Sequence, residues 1–243
     1  MLRHALKLLT TLALAAGFSV TALVFTGAPA HADGCYTWGR TLSQGMSGED
    51  VRQLQIRVSG YPGYGAVLGL DGAYGPATAA AVTRFQQAYG LSADGIAGPQ
   101  TFNQIYALQD DDCTPIHFSY AELNKCNSDW SGGAVSASTA KFNARVTMWK
   151  LEALRKDLGT ALYISSGFRS YACNSAVGGS STSRHLYGDA ADLTGAPSFC
   201  TMALRARYHG FSEILGPGYP DHNDHTHVAN RASQYWSAPN CGI

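Results

Sequence analysis

The hydrophobic pattern of the chain changes near residue 110. Between residues 43 and 108, apolar side chains recur at three- and four-residue steps, which is typical of amphipathic helices. Three such faces are present, formed by Val51, Leu54 and Val58, by Val82, Phe85 and Tyr89, and by Phe102, Ile105 and Leu108. This part of the chain therefore predicts a small domain of three short helices around a common core.

Beyond residue 116, one long helix precedes several short apolar segments. Ser138 or Thr139 is predicted to cap the start of this helix, which ends near Gly159. Its core-facing residues recur at helical spacing, namely Phe142, Val146, Trp149 and Ala153. Short strands are predicted over 161–164, 190–193, 211–215 and 225–229, with a further helix over 202–208. Helices that are segregated from mostly antiparallel strands indicate the α+β class, so an α+β domain follows the three-helix domain.

A six-residue pattern, Asp-Gly-x-x-Gly-Pro, occurs twice, at residues 71–76 and 94–99. The Asp-Gly pair favours a turn, and the proline suits the first position of a helix, where its missing N–H is not needed. We expect these residues to form turns, and they need not contact a ligand.

The first 32 residues have the features of a secretion signal. Arg3 and Lys7 stand at the start of an apolar run over 8–25, and Ala30-His31-Ala32 is a small-x-small cleavage pattern. We predict a signal peptide over 1–32, cleaved after Ala32, and a secreted, extracellular protein without stable membrane association after cleavage. An uncleaved membrane anchor is the alternative, because the apolar run is long for a signal peptide.

All six cysteines lie after the predicted cleavage site, and an even number in a secreted chain indicates three disulfides. We favour sequential pairing: Cys35 with Cys113, Cys126 with Cys173, and Cys200 with Cys241. The acidic, proline-ended segment after residue 109 predicts a linker over 111–115, between domains at 33–110 and 116–243. The formal net charge is +0, and without a basic stripe we expect no nucleic-acid partner.

The chemistry is concentrated in two short stretches, residues 183–192 and 224–227. Together they hold three histidines and three acidic residues: His185, His225, His227, Asp189, Asp192 and Asp224. A nitrogen and oxygen donor set with an open position suits a catalytic zinc, whereas structural zinc is usually closed by thiolates. Either His225 or His227 could bind the metal, since residues two apart on a strand share a face. Asp224 is the neighbouring candidate for a general base.

Two further residues complete the candidate site. Gly188 must bend the chain if His185 and Asp192, seven residues apart, are to meet. Arg169 follows a predicted strand, where its guanidinium could bind a carboxylate or stabilise an oxyanion. An ordinary surface ion pair is the alternative for Arg169.

The N-terminal helices resemble a known wall-binding module. The run over 48–55, the two Asp-Gly pairs, Phe85-Gln86 and Gly90-Leu91 are similar to the three-helix peptidoglycan-binding domain common in bacterial wall hydrolases. The resemblance covers nearly the whole predicted domain. It implies that peptidoglycan is the partner of this part of the chain.

The second half resembles the zinc D-alanyl-D-alanine peptidases, a family that includes D,D-carboxypeptidases and vancomycin-resistance dipeptidases. Ser-x-His-x-x-Gly-x-Ala-x-Asp is complete over 183–192, and an acidic-x-x-His pattern follows at 224–227. The resemblance implies that zinc is the cofactor and that His185, Asp192 and His227 are its ligands.

The same resemblance suggests roles for the remaining site residues. Asp224 takes the place of the general base, although several relatives carry glutamate there. Arg169 binds or polarises the substrate, Ser183 contacts it, and His225 is a secondary catalytic residue beside the metal. His222 lies in the same predicted turn and could also reach the site.

The expected activity is zinc-dependent hydrolysis of the terminal D-Ala-D-Ala amide of peptidoglycan stem peptides, by a monomer associated with the cell wall. Two alternatives stay open. One is a D,D-endopeptidase that cuts peptidoglycan cross-links, and the other is a non-catalytic wall-binding protein that keeps the metal site as a structural element.

Overall fold

The structure is a computed structural model, and it describes residues 34–243. The predicted signal peptide over 1–32 lies outside these residues. The described part contains seven α-helices: α1 (Glu49–Arg57), α2 (Pro76–Ala88), α3 (Pro99–Ala107), α4 (Tyr120–Leu123), α5 (Ala137–Leu158), α6 (Tyr171–Ala176) and α7 (Phe199–Ala206). Two short 3₁₀ helices cover Arg184–Tyr187 and Pro239–Cys241. Among residues 34–243, no helix has the length and apolar character needed to cross a membrane.

Five strands form one sheet in the order β1-β2-β4-β3-β5. Their bounds are β1 (Tyr163–Ser166), β2 (Ala190–Thr194), β3 (Glu213–Leu215), β4 (Thr226–Ala229) and β5 (Tyr235–Ser237). All neighbouring pairs are antiparallel except β3 and β5, which run parallel. The predicted α+β class with a mostly antiparallel sheet is therefore confirmed, and β5 is an addition that the sequence pattern did not predict.

The first copy of the repeated pattern is organised by one buried glutamine of α1. The side-chain amide of Gln55 donates to Oδ1 of Asp71 at 2.8 Å, to the carbonyl of Ala73 at 3.0 Å and to Oγ1 of Thr78 at 3.1 Å. Its carbonyl oxygen accepts the N–H of Gly72 at 2.8 Å. Gln55 thus links the turn at Asp71–Ala73 to Thr78 in the first part of α2.

The second copy repeats this arrangement around Gln86 of α2. Its amide donates to Oδ1 of Asp94 at 3.0 Å, to the carbonyl of Ile96 at 2.9 Å and to Oγ1 of Thr101 at 3.1 Å, while its oxygen accepts the N–H of Gly95 at 2.9 Å. The prediction that the repeated residues form turns is confirmed. The physical content of the repeat is a glutamine that ties a turn to the start of the next helix.

Helix α5 lies between two hydrophobic cores. Val146, Trp149 and Ala153, which the sequence predicted as a core-facing stripe, pack into the core of the N-terminal helices. A second face packs against the sheet through Ala140, Ala144, Met148, Leu151 and Leu154. Apolar residues nearly all round a helix indicate burial on several sides. One helix therefore completes the core of both parts of the chain.

The ends of α5 show one correction and one agreement. The cap is Ser136, not Ser138 or Thr139, and its hydroxyl accepts the N–H of Thr139 at 3.2 Å. The helix ends at Leu158, and Gly159 follows in the left-handed conformation at φ 65°, as a terminating glycine should.

The N-terminal part touches α5 closely at Gly60. A Cβ atom at this position would lie 2.4 Å from Cβ of Ala153 and 3.0 Å from the backbone of Lys150. The carbonyl of Gly60 lies 2.8 Å from Nδ1 of His209, which belongs to the other part of the chain. Only glycine permits this approach, because any side chain would meet backbone atoms.

The disulfides connect Cys35 with Cys113, Cys126 with Cys173, and Cys200 with Cys241, which confirms the sequential pairing. The segment predicted as a linker, 111–115, is a tight turn. The N–H of Asp110 donates to the carbonyl of Thr114 at 2.8 Å, and the indole N–H of Trp149 donates to the carbonyl of Cys113 at 3.1 Å. The first bond closes the turn on itself, and the second attaches it to α5.

Candidate metal centre

Two neighbouring strands place the first pair of candidate ligands side by side. Asp192 of β2 and His227 of β4 are directly opposite each other in the antiparallel register, so their side chains lie on the same face. Both side chains are buried. Nδ1 of His227 lies 2.9 Å from Oδ1 of Asp192.

The third residue reaches the pair through a reversal of the chain. His185 lies in the 3₁₀ helix Arg184–Tyr187, which ends at Gly188 with φ 74°. A Cβ atom on Gly188 would lie 2.4 Å from the carbonyl oxygen of Ala140, so the predicted bend requires glycine. The result is that Nε2 of His185 lies 3.1 Å from Oδ1 of Asp192.

The three side chains form a compact donor set. One ligand atom each from His185, Asp192 and His227 lies within 4.8 Å of the others. Within the part of the chain that the structure describes, this is the cluster of histidine, cysteine and acidic residues that could hold a metal ion. Two imidazole nitrogens and one carboxylate oxygen are suitable donors for zinc.

The ring nitrogens on the far side of both histidines also have partners. Nδ1 of His185 lies 2.6 Å from the carbonyl oxygen of Gly167, and Nε2 of His227 lies 3.2 Å from Oε1 of Glu213. Partners of this kind orient metal-binding histidines. Glu213 was not predicted as a site residue from the sequence. Its only signal was a charged residue inside a short, otherwise largely apolar strand.

Electrostatics in the cluster follow from burial and from these contacts. Burial disfavours charge on His227, but hydrogen bonds to Asp192 and Glu213 outweigh it and raise the pKa of His227 to about 9. Burial raises and the neighbouring histidines lower the pKa of Asp192, and the histidines prevail, so it stays well below its usual value. Burial lowers the pKa of His185. The aspartate is therefore ionised, as a metal ligand must be.

The cluster opens onto a cavity of about 910 Å³. Arg169, Ser183, His222 and His225 all line it, so the structure brings these predicted or suspected site residues to one place. The ring of His222 lies 4.6 Å from that of His225 and 5.8 Å from that of His227, measured between centroids. The cavity has room for a peptide-sized ligand beside the donor set.

Arg169 is held against the cluster. Its Nη2 donates to Oδ2 of Asp192 at 2.7 Å, and its Nε donates to the hydroxyl of Ser166 at 2.8 Å. Among residues 34–243, Nη1 has no hydrogen-bond partner, so this nitrogen is free to meet a ligand in the cavity. Its backbone N–H donates to the carbonyl of His185 at 3.1 Å, which ties the arginine to the ligand-bearing turn.

Asp224 lies at the edge of the site. Its side chain is 90% exposed, and it is not among the described residues that line the cavity. Its Oδ1 lies 2.8 Å from Nδ1 of His225, and this hydrogen bond lowers the pKa of Asp224. Nε2 of His225 in turn lies 3.6 Å from Oδ1 of Asp192. His225 therefore connects Asp224 with the cluster, and the roles suggested for both stay predictions.

An α+β fold with a buried His-Asp-His set at the floor of an open cavity defines a metal-dependent hydrolase of the metallopeptidase class. The chain belongs to the peptidase M15 family, whose family model matches residues 116–229. A family model for a peptidoglycan binding domain matches residues 47–105.

Comparison with curated proteins agrees with this assignment. The chain is 68% identical over 213 residues to the zinc D-Ala-D-Ala carboxypeptidase of Streptomyces albus G, a match that covers 87% of this chain and 84% of that protein. It is 53% identical over 67 residues to the N-acetylmuramoyl-L-alanine amidase CwlL of Bacillus licheniformis, covering 26% of this chain and 19% of the amidase. The amidase CwlM of Mycobacterium tuberculosis is 41% identical over 63 residues, covering 26% and 15%.

Proposed function

We propose that this chain is a zinc-dependent D-alanyl-D-alanine carboxypeptidase that hydrolyses the terminal D-Ala-D-Ala amide of peptidoglycan stem peptides. The observation that carries the proposal is the buried cluster of His185, Asp192 and His227 at the floor of the cavity. It is supported by the 68% identity to a zinc D-Ala-D-Ala carboxypeptidase over 87% of the chain.

In this proposal the zinc ligands are Nε2 of His185, Nδ1 of His227 and a carboxylate oxygen of Asp192. These are the atoms that face one another in the cluster. When bound, zinc acts as a Lewis acid toward the scissile carbonyl and the attacking water. The protein keeps the donors buried and leaves one side open to the cavity, as a catalytic site requires.

Asp224 is the proposed general base. Its lowered pKa keeps it ionised at neutral pH, so it can accept the proton of the attacking water and return it to the leaving amine. The carboxylate must turn from its exposed position toward the cavity when substrate binds. His225, bonded to Asp224 and close to Asp192, is the proposed guide for that turn.

Arg169 and Ser183 are the proposed substrate contacts. Arg169 can donate from its free Nη1 to the carbonyl oxygen on which charge develops, while its other nitrogens keep it in place. Ser183 lines the cavity immediately before the His185 turn, where its hydroxyl can bond the peptide backbone of the substrate.

We also propose a division of labour along the chain, with residues 33–110 binding peptidoglycan and residues 116–243 carrying the chemistry. Attachment to the wall raises the local concentration of stem peptides without adding to the chemical step. A site of action outside the cell is supported by the three disulfides, which persist in oxidising surroundings.

The test uses the purified protein without residues 1–32. Zinc content is measured by mass spectrometry, D-Ala release is measured from a pentapeptide stem, and conversion of a cross-linked dimer to two separate stem peptides is measured by chromatography. We expect about one zinc per chain, release from the pentapeptide, loss of activity with a chelator and recovery with zinc. Cleavage of the dimer alone would identify an endopeptidase. Absence of hydrolysis with zinc bound would identify a non-catalytic wall-binding protein.

A separate variant tests the base. Asp224→Ala should retain zinc and lose turnover by about 100-fold or more, because general-base catalysis contributes factors of roughly 10² to 10⁴. If zinc content falls while activity persists, the assignment of Asp224 is wrong.

A further inference from the structure

Glu213 is a buried carboxylate that the proposed chemical step does not use. It lies on β3, and its residue is only 8% exposed. Burying an ionised carboxylate is costly unless polar partners surround it. The partners of Glu213 therefore indicate why the fold keeps a charge at this position.

Each carboxylate oxygen of Glu213 has one partner. Oε1 lies 3.2 Å from Nε2 of His227, and Oε2 accepts from Nη1 of Arg231 at 2.7 Å. Arg231 lines the cavity and holds the carboxylate from the solvent side. Because one oxygen is fixed by the arginine, the other is held in position toward the imidazole.

The orientation of the His227 imidazole explains the contact with Glu213. Nδ1 of His227 faces Asp192 and the rest of the cluster, whereas Nε2 faces away from it and toward Glu213. An imidazole that binds a metal through one nitrogen carries its proton on the other, and that N–H needs an acceptor. Glu213 supplies the acceptor and so selects the tautomer with Nδ1 free for coordination.

His185 solves the same problem in a different way. Its outer nitrogen, Nδ1, faces the backbone carbonyl of Gly167 at 2.6 Å. A backbone acceptor cannot be removed by substitution, but the Glu213 carboxylate that faces His227 can. The two histidines therefore differ in whether the acceptor is open to mutation.

We infer that Glu213, held by Arg231, is a positioning residue that orients His227 with Nδ1 toward the zinc site. The inference rests on the proposed function, in which His227 is a zinc ligand. It concerns the affinity for zinc, and it extends the site beyond the residues that touch the metal.

The experiment compares zinc affinity among full-length mature variants by competition with a chromophoric chelator at fixed pH. Glu213→Ala removes the acceptor, and Glu213→Gln keeps the shape but removes the charge. Glu152→Gln is the matched control. Glu152 is a buried glutamate whose carboxylate lies 3.0 Å from Nδ1 of His117 and accepts from Arg155, yet it does not line the cavity. Circular dichroism checks that every variant is folded.

We expect Glu213→Ala to weaken zinc binding by about 10- to 100-fold, the usual effect of removing the partner of a metal-binding histidine. Glu213→Gln should lose less, and Glu152→Gln should bind zinc as the unmodified protein does. The visible spectrum of the cobalt-substituted protein should change in the Glu213 variants and not in the control, because only the former alter the ligand geometry.

Two results would overturn the inference. One is a folded Glu213→Ala protein with unchanged zinc affinity and an unchanged cobalt spectrum. The other is an equal loss of affinity in Glu152→Gln, which would indicate a general effect on stability. If Glu213→Ala does not fold, Glu213→Gln and Arg231→Met decide the question, since both leave the backbone of β3 intact and should each weaken zinc binding.

A last variant separates this inference from the proposed site. His227→Ala should lose zinc almost completely. If His227→Ala keeps full zinc affinity, the ligand assignment itself is wrong. If His227→Ala loses zinc while both Glu213 variants keep it, the site stands and only the role of Glu213 falls.

Discussion

The aspartates of the N-terminal repeat and Asp192 of the candidate metal centre have the same side chain but different hydrogen-bond partners. Oδ1 of Asp71 accepts from the N–H of Ala73 at 2.9 Å and from the amide of Gln55 at 2.8 Å. Oδ1 of Asp192 instead faces imidazole nitrogens of His185 and His227, at 3.1 Å and 2.9 Å. The first oxygen is bonded by amides that serve only as donors, and the second by groups that can also bind a metal.

The different partners of Asp71 and Asp192 distinguish a residue that stabilises a turn from a residue that can bind a metal. In the repeat, Oδ1 of the aspartate is bonded by the glutamine amide and by a backbone N–H of the turn, so this oxygen serves the fold. In the cluster, the three side chains meet around a point that borders an open cavity. A recurring Asp-Gly pattern is thus no sign of a binding site by itself. The surroundings of the carboxylate decide.

The largest effect is expected when the carboxylate of Asp192 is removed. Asp192→Ala should lose zinc and lower kcat/KM for the pentapeptide by about 1000-fold or more, equivalent to roughly 4 kcal/mol of transition-state stabilisation. Zinc analysis and D-Ala release measure it. Asp71→Asn is the control from the repeat and should keep both zinc and activity. Equal losses in the two variants would contradict the different roles of Asp192 and Asp71.

A smaller effect is expected when Gln86, the glutamine that bonds the second copy of the repeat, is replaced. Gln86→Ala leaves Asp94, Thr101 and the N–H of Gly95 without their buried partner, so we expect the free energy of unfolding to fall by about 1–3 kcal/mol. Denaturant unfolding measures it. Gln87→Ala, at the exposed neighbouring position, should change stability by less than about 0.5 kcal/mol. Zinc affinity should be the same in both variants.

The smallest expected effect is a change in the stability of the fold at acidic pH. The N–H of Ile96 and the amide of Gln86 lower the pKa of Asp94 in the folded protein. A lowered pKa stabilises the fold above the unfolded-state value, about 3.9, and this contribution is lost as the pH falls through the folded value. Asp94→Asn should therefore lose less stability between neutral pH and about pH 3 than the unmodified protein. An equal loss in the free energy of unfolding of the two proteins, measured by denaturant unfolding at both pH values, would contradict this.

Much of the fold and of the cluster could be predicted because the responsible patterns are local. Helical spacing gave three helices, and the spacing from His185 to Asp192 demanded a bend that Gly188 provides. The partner of an apolar face is not local information. The stripe through Trp149 was predicted, yet nothing in its spacing could tell that the N-terminal helices cover it.

The missing parts of the site are also non-local. Glu213 stands alone in its strand and acquires its role only because β3 pairs with β4 beside His227. The short strand β5 depends likewise on a parallel pairing with β3 that its three residues cannot signal. The exposed position of Asp224 follows from the turn before β4, whose geometry a sequence pattern does not give.

Because α5 belongs to both cores and the 111–115 turn is bonded to it through Trp149, the N-terminal helices and the domain that bears the cavity share one packed interior. If residues 33–110 bind peptidoglycan as proposed, this packing, and not a flexible linker, sets the direction in which the cavity faces the bound wall.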